Sequence, residues 1–486
     1  MSQAQSVTAR SRQAEPARID MLIAGARRPG KILYDVIDPY RGEVVARAPE
    51  SSLQDLDDAL GAAAKAKAEA AALPGYRRAA LLRRVGELLA ARSEEIAVII
   101  ARETGKAIKD ARAEVARSQE TVMLSAEEAI RIQGEHVPLD GAPMGAGKLA
   151  LLLRFPVGVV AGITPFNAPF NLACHKVAPA IAAGNTVVLK APPQAPWSVS
   201  KLGELFFAAG LPAGFLGVLY GKTVGPALVR DPRVNFISFT GSSRVGAEIK
   251  AACGMRRVAL ELGGNGPTIV HADASVDASA PLCARNAMRL AGQSCISVQN
   301  LYVHARLYDQ FVARLVDEVR KLKPGDPLDP ETDVGTLIDE AAARRVEQWV
   351  DEALGAGAKL LTGGRRHGTR YDPTVLAEVE PSMRVVCEEI FGPVVTVQRY
   401  EDLDRVFELI NAGRYGLHCG IFTNRLDLAL RAVRSLRVGG IIVNGTSTWR
   451  TDQLPYGGVK ESGQGREGPG RAVREMTEER LVVFNL

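Results

Sequence analysis

Residues 157–190 read VGVVAGITPFNAPFNLACHKVAPAIAAGNTVVLK, and the reading of this stretch decides the fold. An apolar, β-branched run, Val157–Ile163, breaks at Thr164-Pro165 and is followed by an alanine-rich helical stretch. A second apolar run, Thr186–Leu189, comes next. Strands that are apolar at successive positions are buried on both faces, as in a mostly parallel sheet with helices on either side. The rhythm recurs at Leu216–Leu219 and Phe236–Phe239, and another alternating set begins near Val258 and continues beyond residue 440. We therefore expect two α/β units, which suits 486 residues, too many for one core.

Upstream, Asp20 to Pro49 reads as short strands with a turn at Pro39–Gly42, and residues 53–130 read as helix. There Leu81, Val85, Leu88 and Leu89 recur at helical spacing and predict one apolar stripe. Lys148–Phe155 and the final MTEERLVVFNL predict extended strands, and uncovered apolar edges of that kind are pairing sites. The first 18 residues lack the apolar core of a secretory signal and read as a tail.

Charge and composition exclude several classes. The net charge is +5 from 60 basic and 55 acidic residues, without a basic run interleaved with aromatics, so no nucleic acid partner is expected. Apolar runs are broken well before 18 residues, so no membrane span is expected. The six cysteines are widely spaced, with no CxxC and no cysteine–histidine cluster, which fits reduced thiols in a cytoplasmic protein and no metal site. Gly141–Lys148 has the flavour of a phosphate loop, but its spacing is wrong and Leu149 stands where Ser or Thr would hold magnesium.

Three short segments carry the chemistry. Thr164-Pro165-Phe166-Asn167 ends one strand with an amide donor, and Leu260-Glu261-Leu262-Gly263-Gly264 ends another with a carboxylate followed by glycines. Ala291-Gly-Gln-Ser-Cys295 sets a thiol among small and polar residues. A lone cysteine is more often a small buried hydrophobe, but its companions change the reading. A thiolate attacks a carbonyl carbon, an amide stabilises the resulting oxyanion, and a carboxylate activates water. Phe239-Thr-Gly241-Ser242 joins an apolar strand to a helical stretch through Val245, a junction whose backbone N–H groups suit a pyrophosphate.

In the order Asn167, Glu261, Cys295, these segments resemble the aldehyde dehydrogenase superfamily, and Glu261 and Cys295 stand 34 residues apart as they do there. Phe239–Ser242, Glu388–Pro393 and Pro455–Gly463 agree as well, so the resemblance runs from about Asp20 to the C-terminus. It implies Cys295 as nucleophile, Asn167 with the Cys295 N–H as oxyanion hole, Glu261 as general base, and Lys176 and Glu467 in proton handling or site organisation. It implies Lys190 on the adenosine ribose of NAD or NADP, Ser242 beside Gly241 and Val245 at the pyrophosphate, and Glu389 on the nicotinamide ribose with Phe391 and Phe166 nearby.

The implied fold is a Rossmann-like cofactor domain (19–128 and 156–258), a catalytic α/β domain (259–465) and a small β oligomerisation arm (129–155 and 466–486) making a homodimer or homotetramer. Residues 1–18 are left as a disordered tail. Two departures from the family pattern matter. Pro193 stands three residues after Lys190, where many NAD-preferring members carry Glu, so NADP becomes as plausible as NAD. Phe166 replaces the usual Trp, and the substrate loop Thr446–Asp452 carries Arg450. With Arg117 on the helix at the tunnel mouth, Arg450 resembles the branch acting on small polar or anionic aldehydes such as lactaldehyde, semialdehydes and phosphonoaldehydes. A CoA-acylating enzyme and an inactive binding protein of the same fold are the competing readings. Glu261 argues against the first, and the joint presence of Cys295, Glu261 and Asn167 against the second.

Overall fold

The computed structural model describes residues 15–486; the earlier part of the expected tail lies outside them. Ala17–Arg18, expected as tail, pair in parallel with Ala46–Arg47 at the edge of a small three-stranded sheet.

The stretch 157–190 forms the centre of an eight-stranded sheet. Across it, the parallel strands run Arg257–Glu261, Phe236–Thr240, Val159–Ile163, Thr186–Lys190 and Leu216–Leu219. Every residue of Val159–Ile163 and Thr186–Lys190 is buried, which is why these runs show no alternation. The helix between them, Pro169–Ala182, is buried along its whole length, His175 and Lys176 included.

Chain order reverses beside Val159–Ile163. The chain first moves outward to Leu216–Leu219, then returns to place Phe236–Thr240 on the other flank. Such a reversal leaves a crevice at the carboxyl ends of the two strands, the place where open α/β sheets bind ligands. The strand holding Val258, Arg257–Glu261, belongs to this first sheet rather than opening the second set. It looked like a beginning because glycines follow it, but those glycines carry the chain across to the second sheet.

That second sheet has seven strands in the order Lys359–Thr362, Thr374–Ala377, Val394–Tyr400, Asn300–His304, Pro267–Val270, His418–Phe422 and Gly440–Val443. All pair in parallel except the edge strand Lys359–Thr362. A third, antiparallel sheet joins the two expected edge strands, Lys148–Pro156 and Thr477–Asn485, in register from Thr477 opposite Pro156 to Asn485 opposite Lys148. Leu481, Val483 and Phe484 of this arm are exposed. No helix among the described residues is long and apolar enough to cross a membrane.

Four helices, from Leu53 to Glu128, pack against the first sheet and one another. The first is closed by a reciprocal Ser52–Asp55 capping box. The helix Gly75–Ala91 buries Ala79, Leu82, Val85, Gly86 and Leu89, so Leu81 and Leu88 sit on the margin of the stripe. Small residues displace the pattern: a Cβ on Gly86 would come within 2.8 Å of the Met123 sulfur, so glycine is what lets the neighbouring helix approach. Leu82→Ala should therefore lower stability in denaturant unfolding by about 2–5 kcal/mol, and Leu81→Ala by clearly less. Equal losses would return Leu81 to the core face.

Candidate active site

The carboxyl ends of the first sheet face the loops that enter the second, and a cavity of about 690 Å³ lies between them. Asn167 lines it from the turn after Val159–Ile163. That turn is held from behind: Glu114 accepts hydrogen bonds from the N–H groups of Phe170 at 3.0 Å and Asn171 at 3.2 Å, at the start of helix Pro169–Ala182. A carboxylate there satisfies free amides and meets the positive end of the helix. Glu114 is itself paired with the buried Lys106.

On the other flank of the crevice, Gly241 and Ser242 follow Phe236–Thr240. Ser242 caps helix Ser243–Ala252, its Oγ accepting from the Val245 N–H at 3.4 Å. A Cβ on Gly241 would come within 2.4 Å of the Phe239 ring, so only glycine leaves this approach open. Lys190 and Gln194 line the wall nearby, with Lys222, which sequence reasoning did not single out. Burial lowers the Lys190 ammonium to about 8, although Glu50 opposes the shift.

Cys295 is half-buried and lines the same cavity. The chain reaches it through Leu290 and Ala291, both in the left-handed region at φ 58° and 51°. A Cβ on Gly292 would lie 1.9 Å from the Gly392 carbonyl oxygen, so this turn packs tightly on the segment holding Glu389 and Phe391. Glu389 accepts from the Gly264 N–H at 3.0 Å, and burial pushes its carboxyl up to about 7. A Cβ on Gly263 would meet that carboxylate at 2.5 Å, which explains the paired glycines after Glu261. Phe391 meets Phe166 edge to face, with centroids 6.0 Å apart.

One wall of the cavity carries a largely buried charge cluster, with Lys176 behind it. Arg450 donates to Glu467 at 2.7 Å, and the Lys176 ammonium, 3.6 Å from the other Glu467 oxygen, donates to Thr240 Oγ1 at 2.7 Å. Burial alone would raise Glu467, but His175, Arg450 and Lys176 outweigh it and hold this carboxyl well below the usual range. Glu261 is its opposite. Neither of its oxygens has a hydrogen-bond partner among the described residues, and burial, reinforced by Glu467, raises its carboxyl well above the usual range. Two carboxyls with environments that push them apart are the mark of divided acid–base roles. The Cys295 thiol is likewise pushed up by burial, to about 12, although Tyr456 and Arg450 pull it down.

Of the site residues singled out in the sequence, all but Lys176, Arg117 and Pro193 line the cavity. Lys176 stands behind it, and Arg117 donates to Asp452 at 2.8 Å. Tyr456, whose hydroxyl is 3.0 Å from the Cys295 sulfur, is not singled out by the sequence although it falls within the Pro455–Gly463 motif.

A family model described as the aldehyde dehydrogenase family matches residues 27–482. The chain belongs to the aldehyde dehydrogenase family. It is 48% identical to a 3-sulfolactaldehyde dehydrogenase of Priestia megaterium over 454 residues, 93% of this chain and 95% of that protein. Among solved structures, it is similar to aldehyde dehydrogenase 21 from Physcomitrella patens, in complex with the reaction product succinate. That match has a TM-score of 0.95 and 40% identity and covers 97% of this chain and 99% of the other. The glyceraldehyde-3-phosphate dehydrogenase GapN from Methanocaldococcus jannaschii, complexed with NADP, matches with a TM-score of 0.90 and 37% identity over 93% and 99% of the two chains. The protein is thus an oxidoreductase with the α/β fold of aldehyde dehydrogenases.

The two carboxyls of this aldehyde dehydrogenase should respond differently to neutralisation. Glu467→Gln leaves buried Arg450 and Lys176 without their counter-charge and should cost about 3–5 kcal/mol of unfolding free energy. Glu261→Gln removes a partnerless carboxyl and should cost little or add stability. Denaturant unfolding of both variants checks this, and the reverse order would contradict it.

Proposed function

We propose that the protein oxidises a small polar or anionic aldehyde to its carboxylate through a thiohemiacetal and a thioester on Cys295, using NAD or NADP. The observation that carries this reading is the meeting, in one cavity, of the Cys295 thiol, the Asn167 amide and the partnerless Glu261 carboxyl. The Cys295 thiolate adds to the aldehyde carbon, and the Asn167 amide with the Cys295 N–H stabilises the oxyanion. Removing one such donor costs on the order of 10²–10³ in rate. NAD or NADP, when bound, supplies the acceptor for the hydride that leaves as the oxyanion collapses. Glu261 then takes a proton from water as that water attacks the thioester.

The cavity suits a dinucleotide. Lys190 would hold the adenosine ribose, Ser242 the pyrophosphate and Glu389 the nicotinamide ribose. Pro193 neither accepts bonds from ribose hydroxyls nor repels a 2′-phosphate, and Lys222 adds a second cation beside Lys190, so both cofactors are usable.

The aldehyde's polar tail is read from three relatives whose named compounds carry a sulfonate, a carboxylate or a phosphate. Arg450 on the cavity wall and Arg117 behind it are the candidate cations, and each keeps one guanidinium nitrogen without a hydrogen-bond partner among the described residues. Guanidinium forks suit such anions. The exposed strand Thr477–Asn485 and its apolar residues favour a homodimer or homotetramer, and six free cysteines favour a reducing cytoplasm. We divide the chain into cofactor-binding, catalytic and arm regions as the resemblance implies, with the cofactor unit extended to Glu261.

Cys295→Ala should abolish turnover while cofactor titration stays normal, and turnover near the parent's rate would end the covalent reading. Because the active form of Glu261 is the carboxylate and burial raises its carboxyl, hydrolysis-limited turnover should rise with pH, with its acidic limb well above the ordinary carboxylate range. A limb near pH 4 would contradict that role. Arg117→Ala should raise KM for succinic semialdehyde or phosphonoacetaldehyde about tenfold or more, and leave propanal and benzaldehyde nearly unchanged. Equal losses on charged and neutral aldehydes would make the arginine structural.

A further inference from the structure

Tyr456 is buried and its phenol is tightly held. Its backbone exchanges hydrogen bonds with Glu467, whose N–H donates to the Tyr456 carbonyl at 2.6 Å while the Tyr456 N–H donates back at 3.0 Å. The ring packs against the Arg450 guanidinium, 3.8 Å from its centroid, and against the His418 ring, 5.0 Å away at 70°. The hydroxyl then falls 3.0 Å from the Cys295 sulfur. Phenylalanine would fill this space equally well, so packing does not account for the hydroxyl, and a buried phenol needs a partner.

We propose that Tyr456 is a catalytic residue whose hydroxyl donates to the Cys295 sulfur and stabilises the thiolate, with Arg450 stacked on the ring to strengthen that donor. Either atom is able to donate while the thiol is protonated, but once it ionises only the phenol has a proton to give. Burial drives the Tyr456 phenol well above its ordinary value of 10, so it keeps its proton wherever the enzyme works. A cation over the ring withdraws electron density from the phenol and improves it as a donor.

The groups facing the sulfur divide cleanly. Tyr456 and Arg450 favour the thiolate; burial, Glu389 and Glu261 oppose it. His418, whose ring meets that of Tyr456, is lowered by burial to about 4 and adds no cation at neutral pH. The hydroxyl is therefore the one direct donor to the sulfur among the described side chains, in a site that otherwise suppresses ionisation. Arg450 thus serves as a positioning residue, tied to Glu467 on one side and to the phenol on the other.

The proposal rests on Cys295 being the nucleophile, and the test separates the two ideas. Alkylation by iodoacetamide is followed at the Cys295 peptide across pH in the full-length protein. Tyr456→Phe should slow alkylation at pH 7.5 about tenfold and move the midpoint of the profile up by about one unit. Site-specific 3-fluorotyrosine at position 456, a more acidic phenol, should move that midpoint down, a shift that a packing role would not cause. Cofactor binding reports on folding in both proteins, and if Tyr456→Phe fails to fold, the fluorotyrosine protein decides alone. An unchanged midpoint in the folded variants overturns the role of Tyr456. Turnover surviving in Cys295→Ala would instead overturn the nucleophile, whatever the alkylation profile.

Discussion

The ion pair between Arg450 and Glu467, 2.7 Å apart with both side chains largely buried, is the constraint around which the active site is arranged. Burying two charges is costly unless each finds close partners, and the cluster supplies them: His175 and Lys176 for Glu467, Asp452 and the Tyr456 ring for Arg450. With Arg450 and Lys176 committed to Glu467, the neighbouring Glu261 is left without hydrogen-bond partners among the described residues and with a like charge nearby. One carboxyl is locked as an anion and the other is kept poised to gain and lose a proton. That division makes Glu261 the base of the proposed reaction and Glu467 the fixed charge behind it.

Architecture decides where this cluster stands. The reversal of strand order beside Val159–Ile163 opens a crevice between Asn167 and Gly241-Ser242, and Arg257–Glu261 extends the same edge to the carboxylate. The second sheet enters from loops holding Cys295 and Glu389. Glycines at 241, 263 and 292 are the joints of this seam, since a side chain at each would strike a ring, a carboxylate or a carbonyl. Sequence positions far apart are thereby brought to one cavity without any one segment spanning it.

Much of this was legible in the sequence because its signals are local. Doubly buried strands such as Val159–Ile163 show as unbroken apolar runs, and strand ends followed by Asn167, Gly241 or Glu261 declare themselves by composition. What was not legible depends on contact across the fold. The helix stripe was assigned to Leu81 rather than Leu82 because close helix packing at Gly86 has no apolar signature. Val258 read as the start of a second unit because pairing in a sheet is invisible to periodicity. Arg117 was read at the tunnel mouth, and its partner Asp452, 335 residues away, is visible only in the folded chain. Tyr456 was passed over because a tyrosine beside two glycines signals a turn, and only the folded chain sets its hydroxyl against the Cys295 sulfur.

The division of labour between the two carboxyls is tested most directly by intact-protein mass spectrometry of Glu261→Gln after mixing with aldehyde and cofactor. If Glu261 is the base for hydrolysis, the first turnover proceeds, release stalls, and the protein gains the mass of the acyl group on Cys295. A variant that turns over at the parent's rate with no adduct would show that water is activated elsewhere and that the poised carboxyl has another purpose.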